Sequence, residues 1–202
     1  MASSSVQAKA PAPPYFDEGA SKANALLQAL APCQVDCILL GDSLAEAWPV
    51  VMWEPRRVIR LGVGGDRIEN VTWRLLASDH ASIITPHVVL VAGVNNLWSG
   101  DDGGTSFATL KVLLSLIART WPDARTTVMA VPPFGAKLSG PEQQRRIYND
   151  AIAQDQNINF IDLDDIFRDD RDHFCDDHIH FNDAGYHALT NYLKSQLDVI
   201  ST

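Results

Sequence analysis

The sequence predicts an α/β fold built on a parallel β-sheet, and two observations carry that prediction. Apolar runs of strand length alternate with stretches of helical hydrophobic spacing along nearly the whole chain, and turn-forming glycines and asparagines follow several of the runs. Strands separated by helices join through right-handed crossovers, so helices must cover both faces of the sheet. The chain of 202 residues fits one domain with a proper core, and it shows no internal repeat. The expected organisation is an arm over residues 1–14 and a single domain over residues 15–202.

The arm, "MASSSVQAKAPAPP", is rich in Ala, Ser and Pro, which favours a flexible or polyproline-like segment. It has no continuous apolar stretch and does not read as a secretory signal. A helix over 20–30 precedes the first strand, over 35–40. The second strand, 57–61, runs into Gly62, Gly64 and Gly65. Behind them Ile68, Val71, Leu75 and Leu76 keep helical spacing, with Asp66 and Glu69 placed as an acidic capping box. A third strand, 87–92, leads to a helix marked by Phe107, Leu110, Leu114 and Ile117 behind Thr105 as N-cap. After a fourth strand over 126–131, Pro141 opens a helix that Ile147, Ala151 and Ile152 line on one face. A fifth strand, 158–161, comes before a final helix marked by Tyr186, Leu189, Leu193 and Leu197 behind Asn182 or Asp183.

Composition narrows the function. A formal net charge of −9 argues against a nucleic-acid binder, which needs a basic face for the phosphates. No apolar run approaches the roughly 20 residues of a membrane span. Cys33, Cys37 and Cys175 cannot make a complete disulfide set and lack C-x-x-C spacing, so a reducing, cytoplasmic setting is expected, although a processed exported form would look the same. The oligomeric state stays open, a homodimer included.

In an open parallel sheet ligands bind beyond the carboxyl ends of the strands, so the chemistry should lie there. After the first strand comes "GDSL". Taken alone, Ser43 reads first as a helix cap, the commoner role of a serine after a strand, and second as a nucleophile lifted off the strand end. After the second, the glycine block and the helix behind it offer backbone N–H groups to developing negative charge. The spacing matches neither G-x-G-x-x-G nor a Walker loop. After the third, "GVNN" puts Asn95 and Asn96 at the sheet edge, as turn formers or as oxyanion donors. Asp177 and His180 stand three apart before the last helix, a spacing that in a helical turn lets a carboxylate hold an imidazole. The same loop also holds His173, Cys175, Asp176 and His178, which leaves a metal-dependent hydrolase as a competing reading, though the spacing fits no familiar zinc or EF-hand motif. Trp48, Trp53, Trp73 and Trp98 could line a pocket or simply pack.

In this order, GDSL, a Gly-Gly block, GVNN and Asp-x-x-His ahead of "FNDAGY" resemble the SGNH (GDSL) hydrolase family. The stretch "GGDRIENVTWRL" is most similar to the platelet-activating-factor acetylhydrolase branch and its bacterial esterase relatives. The resemblance implies a three-layer α/β/α sandwich around a flavodoxin-like five-stranded parallel sheet. It implies Ser43 as nucleophile, Asp177 and His180 as the rest of a triad, and Ser43, Gly65 and Asn95 as oxyanion donors. It further implies a lipase-like serine esterase acting without a cofactor or metal on small acyl esters, short-chain and foremost acetyl, of a carbohydrate or a lipid. A non-catalytic binding module on the same fold is the other alternative. Asp42 is expected to brace the turn rather than to do chemistry.

Overall fold

A computed structural model describes residues 6–29, 31–77, 79–133, 141–167 and 171–198. Five parallel strands form the main sheet: β1 (Cys37–Gly41), β2 (Val58–Gly62), β3 (His87–Val91), β4 (Arg125–Met129) and β5 (Asn159–Ile161). Their order is β2-β1-β3-β4-β5, the doubly wound flavodoxin-like arrangement. Each expected strand forms within one or two residues of its expected ends. Val35 falls just outside β1, next to a two-residue parallel pairing of Cys33–Gln34 with Ile83–Ile84.

Alternation along the strands divides the core in two. Ile38, Leu40, Val88, Leu90 and Val128 point to one face, where they meet α3 (Ile68–Ala77), α5 (Gly103–Thr120) and α6 (Glu142–Gln154). Cys37, Leu39, Val89, Val91 and Met129 point to the other. There they meet Leu44 of α2 (Ser43–Glu46), Phe167 of α7 (Asp164–Phe167), and Tyr186, Leu189 and Leu193 of α8 (Asp183–Asp198). Helix α1 (Asp17–Ala29) packs against α3, and α4 (Val94–Trp98) follows β3. Trp48 and Trp53 are fully buried core residues, whereas Trp98 is exposed.

Several helix details differ from the sequence expectation. Asp66 and Glu69 form no capping box, because Asp66 turns inward to Arg74 and Glu69 accepts from Asn96. The first N–H groups of the α3 region are satisfied by Asn70 Oδ1, from Arg67, and Asn96 Oδ1, from Ile68. Asp102, not Thr105, caps α5 and accepts from the Thr105 N–H. Leu76 and Ile147 are exposed; the buried face of α6 is Arg145, Tyr148, Asn149 and Ile152. In α6, polar side chains that reach backbone carbonyls displaced Ile147, while Ile152 keeps its expected place in the core. Leu30 and the Leu197 side chain lie outside the described residues.

The arm, expected to be flexible, is tied to the domain over its described part. Lys9 N–H donates to Thr109 Oγ1, Ala12 N–H to the Glu69 carbonyl, and Asn70 Nδ2 to the carbonyls of Ala12 and Pro13. Its prolines leave carbonyls free, and α3 presents polar side chains to meet them.

Strand β1 ends where it nearly touches β3. A Cβ on Gly41 would lie 1.8 Å from the Val91 carbonyl oxygen, and its φ of 149° already suits glycine. Gly41→Ala should therefore destabilise the fold by about 3 kcal/mol or more. Urea denaturation followed by circular dichroism checks this.

Candidate active site

The four stretches singled out in the sequence meet at the carboxyl ends of β1, β2 and β3. Ser43 is the first residue of α2, directly after β1. Asp42 takes the capping role, its Oδ1 accepting the Leu44 N–H at 2.9 Å. The Ser43 hydroxyl is thereby left for another partner.

That partner is His180, whose Nε2 lies 2.8 Å from Ser43 Oγ. On its other side His180 Nδ1 lies 2.6 Å from Asp177 Oδ2. A carboxylate can only accept, so Nδ1 carries the proton and Nε2 is left to accept from the serine. The carboxylate is itself fixed, because Asp177 Oδ1 accepts the backbone N–H groups of Ile179 and His180, each at 2.9 Å. Asp177 and His180 are thus joined by an Asx-type turn with His178 left-handed (φ 58°), not by the helical turn that their spacing suggested.

The turn sits on a rigid base. Phe174 and Phe181 pair as an antiparallel bridge, and the Cys175 N–H donates to the His180 carbonyl. Phe174 and Phe181 stack with centroids 5.2 Å apart, and both rings pack on Phe167. Asn182 starts α8 by accepting from the Gly185 N–H while its amide donates to the carbonyls of Asp172 and Phe174. Helix α8 is then latched to α2 and the segment after it, as Tyr186 OH donates to the Leu44 carbonyl and Trp48 Nε1 to Thr190 Oγ1.

The glycine block lies beside the serine. A Cβ on Gly64 would come within 3.8 Å of Ser43 Cβ, and Gly65 turns with a φ of 80°. Among the described residues, neither the Ser43 nor the Gly65 backbone N–H has an acceptor. The two asparagines behave differently. Asn95, half-buried, donates one amide hydrogen to the Asp66 carbonyl at 2.8 Å and keeps the other. Asn96 is fully buried, accepting from the Ile68 N–H and donating to Glu69 and Asp101.

Three carboxylates surround this centre in different electrostatic states. Burial alone would raise the Asp177 carboxyl, but the His180 ring and the two backbone N–H groups outweigh it and hold it below the usual range. Asp42 is fully buried, and desolvation pushes it up to about 7, with Asp66 adding to the rise. Asp66 rises to about 6, again by desolvation, against the pull of Arg74. The Arg74–Asp66 pair was not anticipated from sequence. Its signal was a charged residue at 74 on the apolar face defined by Val71 and Leu75.

Among the described residues no three His, Cys, Asp or Glu side chains are grouped to hold a metal. His187 is exposed on α8, and His173 stacks edge-on against Phe167. No described helix is long and apolar enough to cross a membrane. Cys33, Cys37 and Cys175 are free thiols.

A strand-end serine, an oriented imidazole and a carboxylate on a doubly wound sheet define a class, and the chain belongs to it: residues 37–188 match the GDSL-like Lipase/Acylhydrolase family. Among curated proteins the chain is similar to Platelet-activating factor acetylhydrolase IB subunit alpha1 of Bos taurus, with 27% identity over 139 residues, 64% of this chain. That alignment spans 59% of the relative's length, and the human protein aligns to the same extent. Among solved structures, a GDSL-like lipase from Bacteroides thetaiotaomicron VPI-5482 superposes with a TM-score of 0.71 at 15% identity, covering 89% of this chain and 97% of that one. A carbohydrate esterase family 3 protein from Talaromyces cellulolyticus gives 0.65 at 14%, covering 82% and 97%. At such identities the structural likeness is one of fold.

The raised Asp42 carboxyl makes a prediction with a definite sign. A carboxyl whose native pKa lies above its unfolded value favours the folded state at low pH. That contribution is lost as pH rises from about 4 to about 7. Asn at this position keeps the cap and removes the titration. The stability of Asp42→Asn relative to the parent should therefore grow between pH 4 and pH 7 and level off above about 7, as measured by urea unfolding across that range.

Proposed function

We propose that the protein is a serine esterase that hydrolyses short-chain acyl esters, acetyl esters foremost, through an acyl-enzyme intermediate. The observation that carries this reading is the relay from Ser43 Oγ through His180 to Asp177, with contacts of 2.8 and 2.6 Å. His180 Nε2 takes the hydroxyl proton as Ser43 Oγ attacks the ester carbonyl, and Asp177 stabilises the imidazolium that forms. The Ser43 and Gly65 N–H groups and the second Asn95 amide hydrogen receive the oxyanion. The tetrahedral centre collapses with transfer of the His180 proton to the departing alcohol oxygen. Water then attacks the acyl-serine with His180 again as base, releasing the acid and restoring Ser43. No step calls for a metal or an organic cofactor. An acetyl group is supported by the acetylhydrolase relatives, and a carbohydrate alcohol by the carbohydrate esterase neighbours, with a lipid alcohol as the other candidate.

An organophosphonate should label Ser43 and abolish turnover of a nitrophenyl acetate, while a chelator leaves the rate unchanged. Loss on chelation with recovery on added zinc would point to a metallohydrolase. A folded protein with neither labelling nor turnover of any acyl ester would point to a binding module. His180→Ala and Asp177→Asn should each lower kcat by about 10³–10⁴. Alanine at His173, His178 or His187 should leave most of the activity. His178→Ala as damaging as His180→Ala, in a folded protein, would sink the assignment.

The asparagines should separate in a similar test. Asn95→Ala should reduce kcat by about 10²–10³ with little change in KM, because its free hydrogen meets charge mainly in the transition state. Asn96→Ala should affect kcat far less and instead lower stability by about 1–3 kcal/mol, since it leaves the Ile68 N–H and two carboxylates short of a partner. Steady-state kinetics and denaturation on the same preparations rank the two.

A further inference from the structure

Beneath the reacting groups lies a charge pair that touches none of them. The Arg74 and Asp66 side chains are both fully buried, with Nε donating to Oδ2 at 2.7 Å. Arg74 also donates through NH2 to the Gly41 carbonyl at 3.0 Å. Gly41 lies two residues before Ser43, and Asp66 directly follows Gly65. The Asp66 carbonyl in turn accepts the Asn95 amide. One guanidinium and one aspartate therefore connect the three chain segments that carry Ser43, Gly65 and Asn95.

We propose that the Arg74–Asp66 pair is a positioning device for the oxyanion site, setting the spacing of the Ser43 N–H, the Gly65 N–H and the Asn95 amide. The inference rests on the esterase reading above. Neither residue is a catalytic residue, since both act through the backbone they hold. A buried ion pair is a poor source of net stability compared with apolar side chains of similar volume. It does fix direction, because Arg74 reaches a carboxylate and a carbonyl from a single planar group. Direction is what an oxyanion site needs. Its donors work at about 2.7–3.1 Å from the developing charge, and a displacement of about 1 Å can lower a rate 10²-fold. The fold without this pair would still place β1, β2 and β3 side by side, because sheet register depends on the strands. The loops beyond them have no other single side chain that bridges Gly41 to Asp66 among the described residues.

The test uses Asp66→Asn, which keeps the shape and the backbone carbonyl, and Arg74→Lys, which keeps the charge but cannot serve both acceptors in one plane. Each is made alone and with Asn95→Ala, and each is measured below its own unfolding transition with active sites counted by phosphonate titration. Each single substitution should lower kcat per titrated site by about 10-fold or more, with KM for a short ester within about twofold. In the Asn95→Ala background the same substitution should lower kcat by less than about threefold, because one of the positioned donors is already gone. The midpoint of the pH–rate profile should not move, as His180 and Asp177 are untouched. The phosphorus resonance of the Ser43 phosphonate adduct should shift towards that of the unfolded adduct in either single variant. Equal fold losses with and without Asn95, or lower melting temperatures with unchanged kcat per site and an unmoved resonance, would overturn the proposal while leaving the esterase reading intact. A parent protein that neither reacts with phosphonate nor turns over an ester overturns both.

Discussion

A contact of 2.8 Å between Ser43 and His180, side chains 137 positions apart in the chain, sets the demand that the rest of the structure meets. Proton transfer needs both ends held, and a surface loop meeting a helix end offers little rigidity by itself. The serine end is held by backbone geometry. Gly41 admits no side chain against β3, the Asp42 N–H donates to the Val91 carbonyl, and the Asp42 side chain starts α2. The histidine end is held by its neighbours. An aromatic stack of Phe167, Phe174 and Phe181 anchors the loop, and Asp177 uses both oxygens within one turn to fix the ring and the backbone beneath it. The two ends are joined by Tyr186, whose hydroxyl donates to the Leu44 carbonyl one residue beyond Ser43.

How much of this was legible follows from the range of the forces involved. Strands are local apolar runs bounded by turn residues, so all five appeared at nearly their observed ends. Ser43, Gly65 and Asn95 stood out as candidates because each lies just past such a boundary, and strand ends on one edge of a parallel sheet converge. Asp177 and His180 lie well beyond β5, and only the family resemblance singled that pair out of an acidic, histidine-rich loop. What escaped was set by tertiary partners. Asp66 has the right place for a helix cap but finds Arg74, and the first N–H groups go instead to Asn70 and to Asn96 of α4. Thr105 could cap α5, yet Asp102 lies three residues earlier with a charged acceptor. Ile147 kept helical spacing but lost the buried face to Arg145, which satisfies the Val131 carbonyl, Glu142 and Asp164 at once. The arm's composition suggested a flexible or polyproline-like segment, and composition could not see that Asn70 of α3 would take two of its carbonyls. A periodicity argument counts apolar positions, and it missed the places where a polar side chain found its own partners, buried at Asp66 and Arg145 and exposed at Asp102.

The three carboxylates around the site show how one residue type is put to different uses. The side chain of Asp177 is 47% exposed and that of His180 37%, so burial is not what orients them or keeps the carboxylate charged. Hydrogen bonds do that, and water on the outer side lowers the cost of keeping the charge. Asp42 and Asp66 lie on the inner side, fully buried, where desolvation raises both. Under the proposed mechanism, a second full negative charge close to Ser43 would oppose the formation of an oxyanion there. A raised Asp42 holds its proton through the lower part of the neutral range, and Arg74 offsets the charge on Asp66. The depth of each carboxylate thus decides its role. The one held below the usual carboxylate range sits where solvent and N–H groups support the anion, and those that shape the backbone sit where ionisation is costly. Moving the ionised partner of the histidine inward would strengthen its field on the ring. Under the proposed mechanism it would also place a desolvated anion beside the site of developing negative charge, and the turn at 177–180 avoids that conflict by keeping Asp177 and His180 partly exposed to solvent.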